Sequence, residues 1–76
     1  MEQKIREIVS QIMEVPLESV TLASSAETIS SWDSLKHMNL VLALEETFGV
    51  LFSEEQIAEL TQVGTILTIV AKLARP

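Results

Sequence analysis

The segment 34–48 constrains the fold most, because it predicts a helix that is apolar on two opposite faces. Asp33 is a favourable residue at the start of a helix, and Gly49 suits the left-handed position just past its end. One face of this helix carries Leu40, Val41, Leu44 and Phe48. The opposite face carries Leu35, Met38 and Leu42. A small core covers only one such face, so the second must be covered by the preceding loop or by another protein.

A second helical pattern lies at the start of the chain. Ile5, Ile8 and Ile12 recur at helical spacing, which predicts an amphipathic helix over about 2–14. Pro16 is expected to end this helix, because a proline disfavours the helical conformation in the residue before it. The chain therefore begins with one apolar helix face that needs a partner.

The residues between these two helices, about 17–32, show no sustained period and are rich in serine and threonine. Loops of this length are uncommon in compact domains and are usually functional or disordered. Apolar residues are spaced along this one, at Leu17, Val20, Leu22 and Ile29. We therefore expect an ordered loop that these side chains anchor to the core.

Two more helices are predicted after the second one. The sequence Ser53-Glu54-Glu55-Gln56 has the form of a capping box and indicates a short helix. A fourth helix is expected over about 62–74, with Thr61 as its N-cap. Its core face would carry Val63, Ile66, Leu67, Val70 and Leu73. Because no strand-like alternation is present, the predicted fold is all-α, a small four-helix bundle with three main helices, a short third helix and a long first loop.

Length and composition limit what the chain can do. Its 76 residues allow one domain, predicted over 1–76, with one small core. Cysteine is absent and His37 is the single histidine, so a disulfide, a metal centre and a serine–histidine relay are not expected. The net charge is −6, and residues 33–59 hold six acidic side chains against one lysine. Such an acidic surface repels nucleic acids and anionic membranes, and it favours basic protein partners.

The sequence also bears on location. No apolar run reaches the roughly 18 residues that a transmembrane helix needs. The first four residues, Met1-Glu2-Gln3-Lys4, lack the apolar core of a signal peptide. We expect a cytoplasmic monomer that does not insert into membranes.

Ser34 is the most informative polar residue of the chain. Its hydroxyl stands in the first turn of the predicted second helix, where unpaired backbone N–H groups and the helix dipole stabilise a phosphate. A serine in this place is ordinarily a capping or solvent-facing residue. Here the surplus apolar face follows directly, and acidic residues stand at the far end of the same helix. This combination indicates a covalent anchor beside a recognition surface, and so a protein that carries a group rather than transforms it.

Two stretches of the chain closely resemble the attachment motif and second helix of acyl carrier proteins. They are Asp33-Ser34-Leu35 and the following Leu40-Val41-Leu42-Ala43-Leu44-Glu45-Glu46-Thr47-Phe48. The resemblance covers nearly the whole chain in length, helix order, long first loop and acidic isoelectric point. In that family the serine is esterified with 4′-phosphopantetheine, which a phosphopantetheinyl transferase takes from coenzyme A. The resemblance implies that Ser34 holds this cofactor, with Asp33 beside it, and that the cofactor thiol carries acyl groups as thioesters. It implies no catalytic residue, so the chain is expected not to be an enzyme.

The resemblance also implies a partner surface, formed by Leu35, Lys36, Met38, Leu42, Glu45 and Glu46. The expected partners are the phosphopantetheinyl transferase and acyl-activating, acyltransferase or ketosynthase-type enzymes of fatty acid, lipid or polyketide biosynthesis. Lys36 and Asn39 stand where the carriers of fatty acid synthesis usually have acidic residues, and Trp32 replaces a common small residue. Because charges at the rim of an interface tune the choice of partner, we expect a specialised carrier rather than the general one of fatty acid synthesis.

Two alternatives stay open on the sequence. The glycine pair that precedes the serine in peptidyl carrier domains is absent, which disfavours an aminoacyl or peptidyl carrier without excluding it. A non-covalent helical adaptor would use the stripe of Leu35, Met38 and Leu42 to bind a partner helix. His37 is expected to be a partly exposed helix residue without a special role.

Overall fold

The fold is built from four α-helices, as seen in a computed structural model that describes residues 1–74. The helices are α1 (Glu2–Met13), α2 (Ser34–Phe48), α3 (Glu54–Glu59) and α4 (Val63–Leu73). A short 3₁₀-helix, Leu17–Ser19, lies in the long loop, and one isolated β-bridge joins Ser25 to Gln62. Within residues 1–74 there is no β-strand, so the predicted all-α bundle is confirmed. None of the helices in this part of the chain is long and apolar enough to cross a membrane.

The core forms where α1 packs against both α2 and α4. Each of these helices turns one apolar face inward, as its period predicts. The side chains that are completely buried on these three helices are Ile5, Val9, Met13, Leu40, Leu44, Val63, Ile66 and Val70. The faces predicted for the first, second and fourth helices are therefore confirmed.

The end of α1 differs from the prediction in its cause. The helix ends at Met13, because Glu14 adopts a left-handed conformation with φ 58° and ψ 46°. The backbone N–H groups of Glu14 and Val15 both donate to the carbonyl of Ser10, the latter at 3.1 Å. The chain thus leaves the helix through a left-handed turn two residues before Pro16. A non-glycine residue rarely adopts this conformation, so a glutamate at this position does not predict a left-handed turn.

The start of α4 corrects a second prediction. The helix begins at Val63, and its N-cap is Gln62, whose side chain makes no capping hydrogen bond. Thr61 was the predicted cap, but its carbonyl accepts the backbone N–H of Ala26 at 2.9 Å. Pairing with the long loop keeps this segment extended, so the helix starts later. The helix α4 is therefore one residue shorter at each end than the predicted 62–74.

The long loop is ordered, as predicted, but one of its expected anchors acts differently. Val20 and Ile29 are buried and Leu17 is half-buried, whereas the side chain of Leu22 is 42% exposed. Leu22 is held instead through its carbonyl, which accepts the backbone N–H of Gly64 at 2.9 Å. A Cβ atom at Gly64 would lie 3.2 Å from that same oxygen. The glycine therefore allows the loop to lie directly on the first turn of α4.

Candidate functional site

The start of α2 is fixed by its N-cap residue. The Asp33 side chain accepts the backbone N–H of Lys36 at 2.8 Å, and the Asp33 carbonyl accepts that of His37 at 2.8 Å. Both bonds are local, and together they set the first turn of the helix. The predicted N-cap is confirmed. Ser34 follows as the first helical residue, and its side chain is exposed.

The surroundings of Ser34 suit an esterified phosphate. The first backbone N–H groups of a helix have no acceptor within the helix, and the helix dipole makes this end positive. An open groove of about 480 Å³ begins at the same serine. The groove is lined by Ala26, Trp32, Asp33, Ser34, His37, Met38 and Thr61. The site therefore offers an accessible hydroxyl, a favourable electrostatic position and room for an attached arm.

The second apolar face of α2 lies open to solvent. Leu35 is 72% exposed, Met38 is 45% exposed and Leu42 is 59% exposed. The long loop does not cover them, although covering by the loop was one of the two outcomes that the sequence allowed. Leaving three large apolar side chains in one stripe exposed is unfavourable unless they bind something.

Leu51 belongs to the same exposed surface, and sequence reasoning missed it. Its side chain is 81% exposed and lies with Leu42 and Glu46 around a shallow depression between α2 and the segment that follows it. A signal was present, because Val50 and Phe52 are buried on either side of it. With both neighbours turned into the core, the side chain of Leu51 is left on the solvent side.

Lys36 is engaged in an ion pair with the end of α1. Its ammonium group contacts the carboxylate of Glu14, and this pair joins the left-handed turn after α1 to the first turn of α2. The hydrogen bond and the positive charge of Lys36 lower the pKa of Glu14 from its ordinary value of 4.5. The structure thus places Lys36 at the predicted partner surface with its charge largely balanced from within the chain.

The two predicted glutamates of the partner surface have different surroundings. Glu45 is half-buried, and its Oε2 atom accepts the backbone N–H of Phe52 at 2.9 Å. Its carboxylate therefore holds the connection between α2 and α3. Glu46 is exposed and is available to a partner.

His37 is partly exposed, as predicted, and both of its ring nitrogens have hydrogen-bond partners. Its Nδ1 atom accepts the indole N–H of Trp32 at 3.0 Å, and its Nε2 atom lies 2.8 Å from the carbonyl oxygen of Ile57. The two rings lie with centroids 6.2 Å apart and an angle of 28° between their planes. Sequence reasoning could not find these bonds, because one acceptor is a backbone atom on another helix. In the part of the chain that the structure describes, no group of three or more potential metal ligands is present.

Residues 3–70 match a family model described as a phosphopantetheine attachment site. The chain belongs to the acyl carrier protein family. Members of this family are carriers rather than catalysts, and they bear covalently attached 4′-phosphopantetheine. They interact with a phosphopantetheinyl transferase and with enzymes that process acyl groups.

Known acyl carrier proteins match over most of their length. The acyl carrier protein of Thermosynechococcus vestitus is 36% identical over 69 residues, which are 90% of this chain and 84% of the relative. That of Coprothermobacter proteolyticus is 29% identical over 68 residues, covering 90% and 83% of the two chains. The solution structure of a holo acyl carrier protein from Geobacter metallireducens superposes with a TM-score of 0.83 at 30% identity, covering 95% of this chain and 83% of that one. The helix arrangement described above is therefore that of an acyl carrier protein.

The ion pair between Lys36 and Glu14 makes the stability of this acyl carrier protein depend on pH below neutrality. Because the folded protein lowers the pKa of Glu14, the pair stabilises the fold above the ordinary value of 4.5 and loses this effect as the pH falls below it. We expect the unfolding midpoint of Lys36→Met to lie below that of the wild type at pH 7. The difference between the urea midpoints of the two proteins should be smaller at pH 3.5. The same difference in midpoint at pH 7 and pH 3.5 would contradict this role of Glu14.

Proposed function

We propose that Ser34 is the residue that carries 4′-phosphopantetheine and that this chain shuttles acyl groups between enzymes. The observation that carries the proposal is the exposed Ser34 hydroxyl at the first position of α2, inside the segment that matches the attachment-site family. When bound, the cofactor supplies a terminal thiol that holds acyl groups as thioesters.

The residues of this chain would hold the arm in three ways. The backbone N–H groups of Ser34 and Leu35 stand at the positive end of α2 and stabilise a phosphate on the serine. Asp33 keeps this end formed, because its carboxylate caps the helix at Lys36. The groove between Trp32 and Met38 gives an attached arm a path along the protein surface.

The test is enzymatic loading. The purified chain is incubated with coenzyme A and a promiscuous phosphopantetheinyl transferase, and its intact mass is measured. We expect one phosphopantetheine adduct per chain, and peptide mapping should locate it on Ser34. No adduct, or an adduct on another serine, would defeat the proposal.

We further propose that the chain is a specialised carrier with a dedicated set of partner enzymes. The stripe of Leu35, Met38 and Leu42 is exposed, so a partner would present apolar pockets to it. Near Ser34 the charge of Lys36 is balanced by Glu14, and the carboxylate of Asp33 is engaged in capping α2. The unpaired negative charge lies farther along the surface, where Glu46, Glu54 and Glu55 are exposed. Acyl-activating, acyltransferase or ketosynthase-type enzymes with basic residues only at that far end would fit this pattern.

The apolar stripe can be tested with the transferase as the partner. Leu35→Asn removes a large exposed apolar side chain next to the site, and we expect kcat/KM for loading to fall by about ten-fold, the effect of a modest interface hot spot. The unfolding free energy should change by less than about 0.5 kcal/mol, because the side chain is on the surface.

The matched control is Leu22→Asn, which makes the same change at an exposed leucine on the long loop. It should load like the wild type. Equal loading by both variants would show that the stripe does not contact the transferase.

The exposed stripe also supports one second candidate, a helical adaptor that binds a partner without modification. The two functions differ in their need for the serine hydroxyl. An adaptor keeps its partner when Ser34 is replaced by alanine, whereas the acceptor function of a carrier is lost.

A further inference from the structure

The imidazole ring of His37 has both nitrogen atoms engaged in hydrogen bonds to different parts of the chain. The indole N–H of Trp32 can only donate, so the Nδ1 atom of His37 must accept, at 3.0 Å. The carbonyl of Ile57 can only accept, so Nε2 must donate, at 2.8 Å. The partners therefore fix one form of the ring, neutral and with its proton on Nε2.

These two bonds connect three segments that meet beside Ser34. Trp32 is the buried last apolar residue of the long loop, and Ile57 lies on α3. The helix α3 has six residues, none of which is buried. Among residues 1–74, the bond from His37 to Ile57 is the one side-chain hydrogen bond that joins α2 to α3. The ring thus contributes specifically to the position of a weakly packed helix.

We propose that His37 is a positioning residue that joins the long loop, α2 and α3 at the wall of the groove beside Ser34, and that protonation of its ring releases Trp32. A protonated imidazole has a donor at both nitrogens. It still donates to the carbonyl of Ile57, but it places an N–H group opposite the indole N–H. The bond to Trp32 is then lost, and the wall of the groove formed by Trp32 is freed from α2.

Several charged side chains lie on the elements around His37. On its own helix and at the cap, the neighbours are Asp33, which lines the same groove, and Lys36, which is paired with Glu14. The acidic side chains of the other two elements around the ring are Glu18 and Glu27 on the loop and Glu54, Glu55 and Glu59 on α3. In residues 1–74, none of them forms an ion pair with the ring. Carboxyl groups in general titrate at more acidic pH than imidazoles, so the pH series stops at about 5.5, and a variant without the imidazole is its control.

Trp32 reports the event directly, because it is the single tryptophan of the sequence. We expect its fluorescence to change in step with protonation of the His37 ring, followed in parallel by nitrogen-15 NMR, as the pH is lowered from 8 to 5.5. His37→Gln keeps a polar side chain of similar length but has no proton to gain in this range, so its fluorescence should stay constant. Fluorescence that stays constant while the ring becomes protonated, or the same change in His37→Gln, would overturn the proposal.

A measurement on the wild type alone guards against a variant that does not fold. Nitrogen-15 NMR of the ring should show the proton on Nε2 at pH 8. On protonation of the ring, exchange of the Trp32 indole proton with water should rise about five-fold beyond the intrinsic effect of pH, as for the loss of one hydrogen bond. A proton on Nδ1 at pH 8, or unchanged protection of the indole proton, would refute it. Neither experiment uses the cofactor, so the outcome is independent of whether Ser34 is the attachment residue.

Discussion

Replacing Ser34 by alanine is expected to abolish loading with phosphopantetheine completely while leaving the fold intact. The transfer needs a hydroxyl oxygen as the acceptor, and alanine has none. The helix start does not depend on this side chain, since the capping carboxylate belongs to Asp33. We therefore expect no adduct in the intact-mass spectrum and an unfolding free energy within about 0.5 kcal/mol of the wild type.

Ser30→Ala is the matched control for this experiment. Ser30 is an exposed serine four residues earlier, at the end of the long loop and outside the helix. This variant should be loaded to the same extent and at the same rate as the wild type. A phosphopantetheine adduct that persists in Ser34→Ala would show that another residue is the acceptor, and the proposed function would have to be abandoned.

The second large effect is expected in the core. Leu44 is completely buried on α2, on the face packed against α1. Leu44→Ala leaves a cavity, and such substitutions cost about 2–5 kcal/mol. A core in a domain of this size supplies a net stability of about 3–5 kcal/mol. Circular dichroism at 25 °C should therefore show a chain that is largely unfolded or that unfolds in very little urea.

The same helix provides a control with the same chemical change. Leu42 lies two residues before Leu44 on the exposed face, so Leu42→Ala removes little buried surface. Its urea midpoint should lie close to that of the wild type, with a free-energy change below about 0.5 kcal/mol. Equal destabilisation by the two substitutions would mean that α2 is oriented differently from the structure described above.

The helices were predictable because their signals are local. Asp33 and Gly49 act within one turn of the helix ends that they define, and Gly49 indeed has a φ of 65°. The capping box of Ser53 and Gln56 is present with both of its hydrogen bonds. Periodicity alone then placed the buried and exposed faces of α2 correctly.

The errors arose where distant segments meet. Thr61 has the chemistry of an N-cap, but pairing with Ala26 holds it in an extended segment. The left-handed turn at Glu14 accompanies an ion pair with Lys36, a residue far away in sequence. Neither contact leaves a periodic or compositional trace, so a single sequence could not reveal them.

At the candidate site, too, the features set by local signals were predictable and those set by distant contacts were not. The exposed Ser34 and the apolar stripe beside it follow from the motif and the helix period, both of which are local. The roles of Glu45 and His37 do not follow from a sequence pattern. Glu45 accepts the backbone N–H of Phe52, and His37 is bonded to the backbone carbonyl of Ile57. Apart from proline, every residue has the same backbone N–H and C=O groups, so no side-chain pattern marks them as partners.

The backbone pairing between the long loop and the start of α4 bears on the order in which the molecule assembles. The bonds of Ala26 to Thr61 and of Gly64 to Leu22 link segments from opposite halves of the chain. Contacts across such a separation form only after the entropy of closing the intervening loop has been overcome, which slows their formation. Each α-helix, by contrast, closes its hydrogen bonds within a few residues. The helices can therefore form early, and the loop that leads into Ser34 reaches its final place only when the two halves of the chain have met.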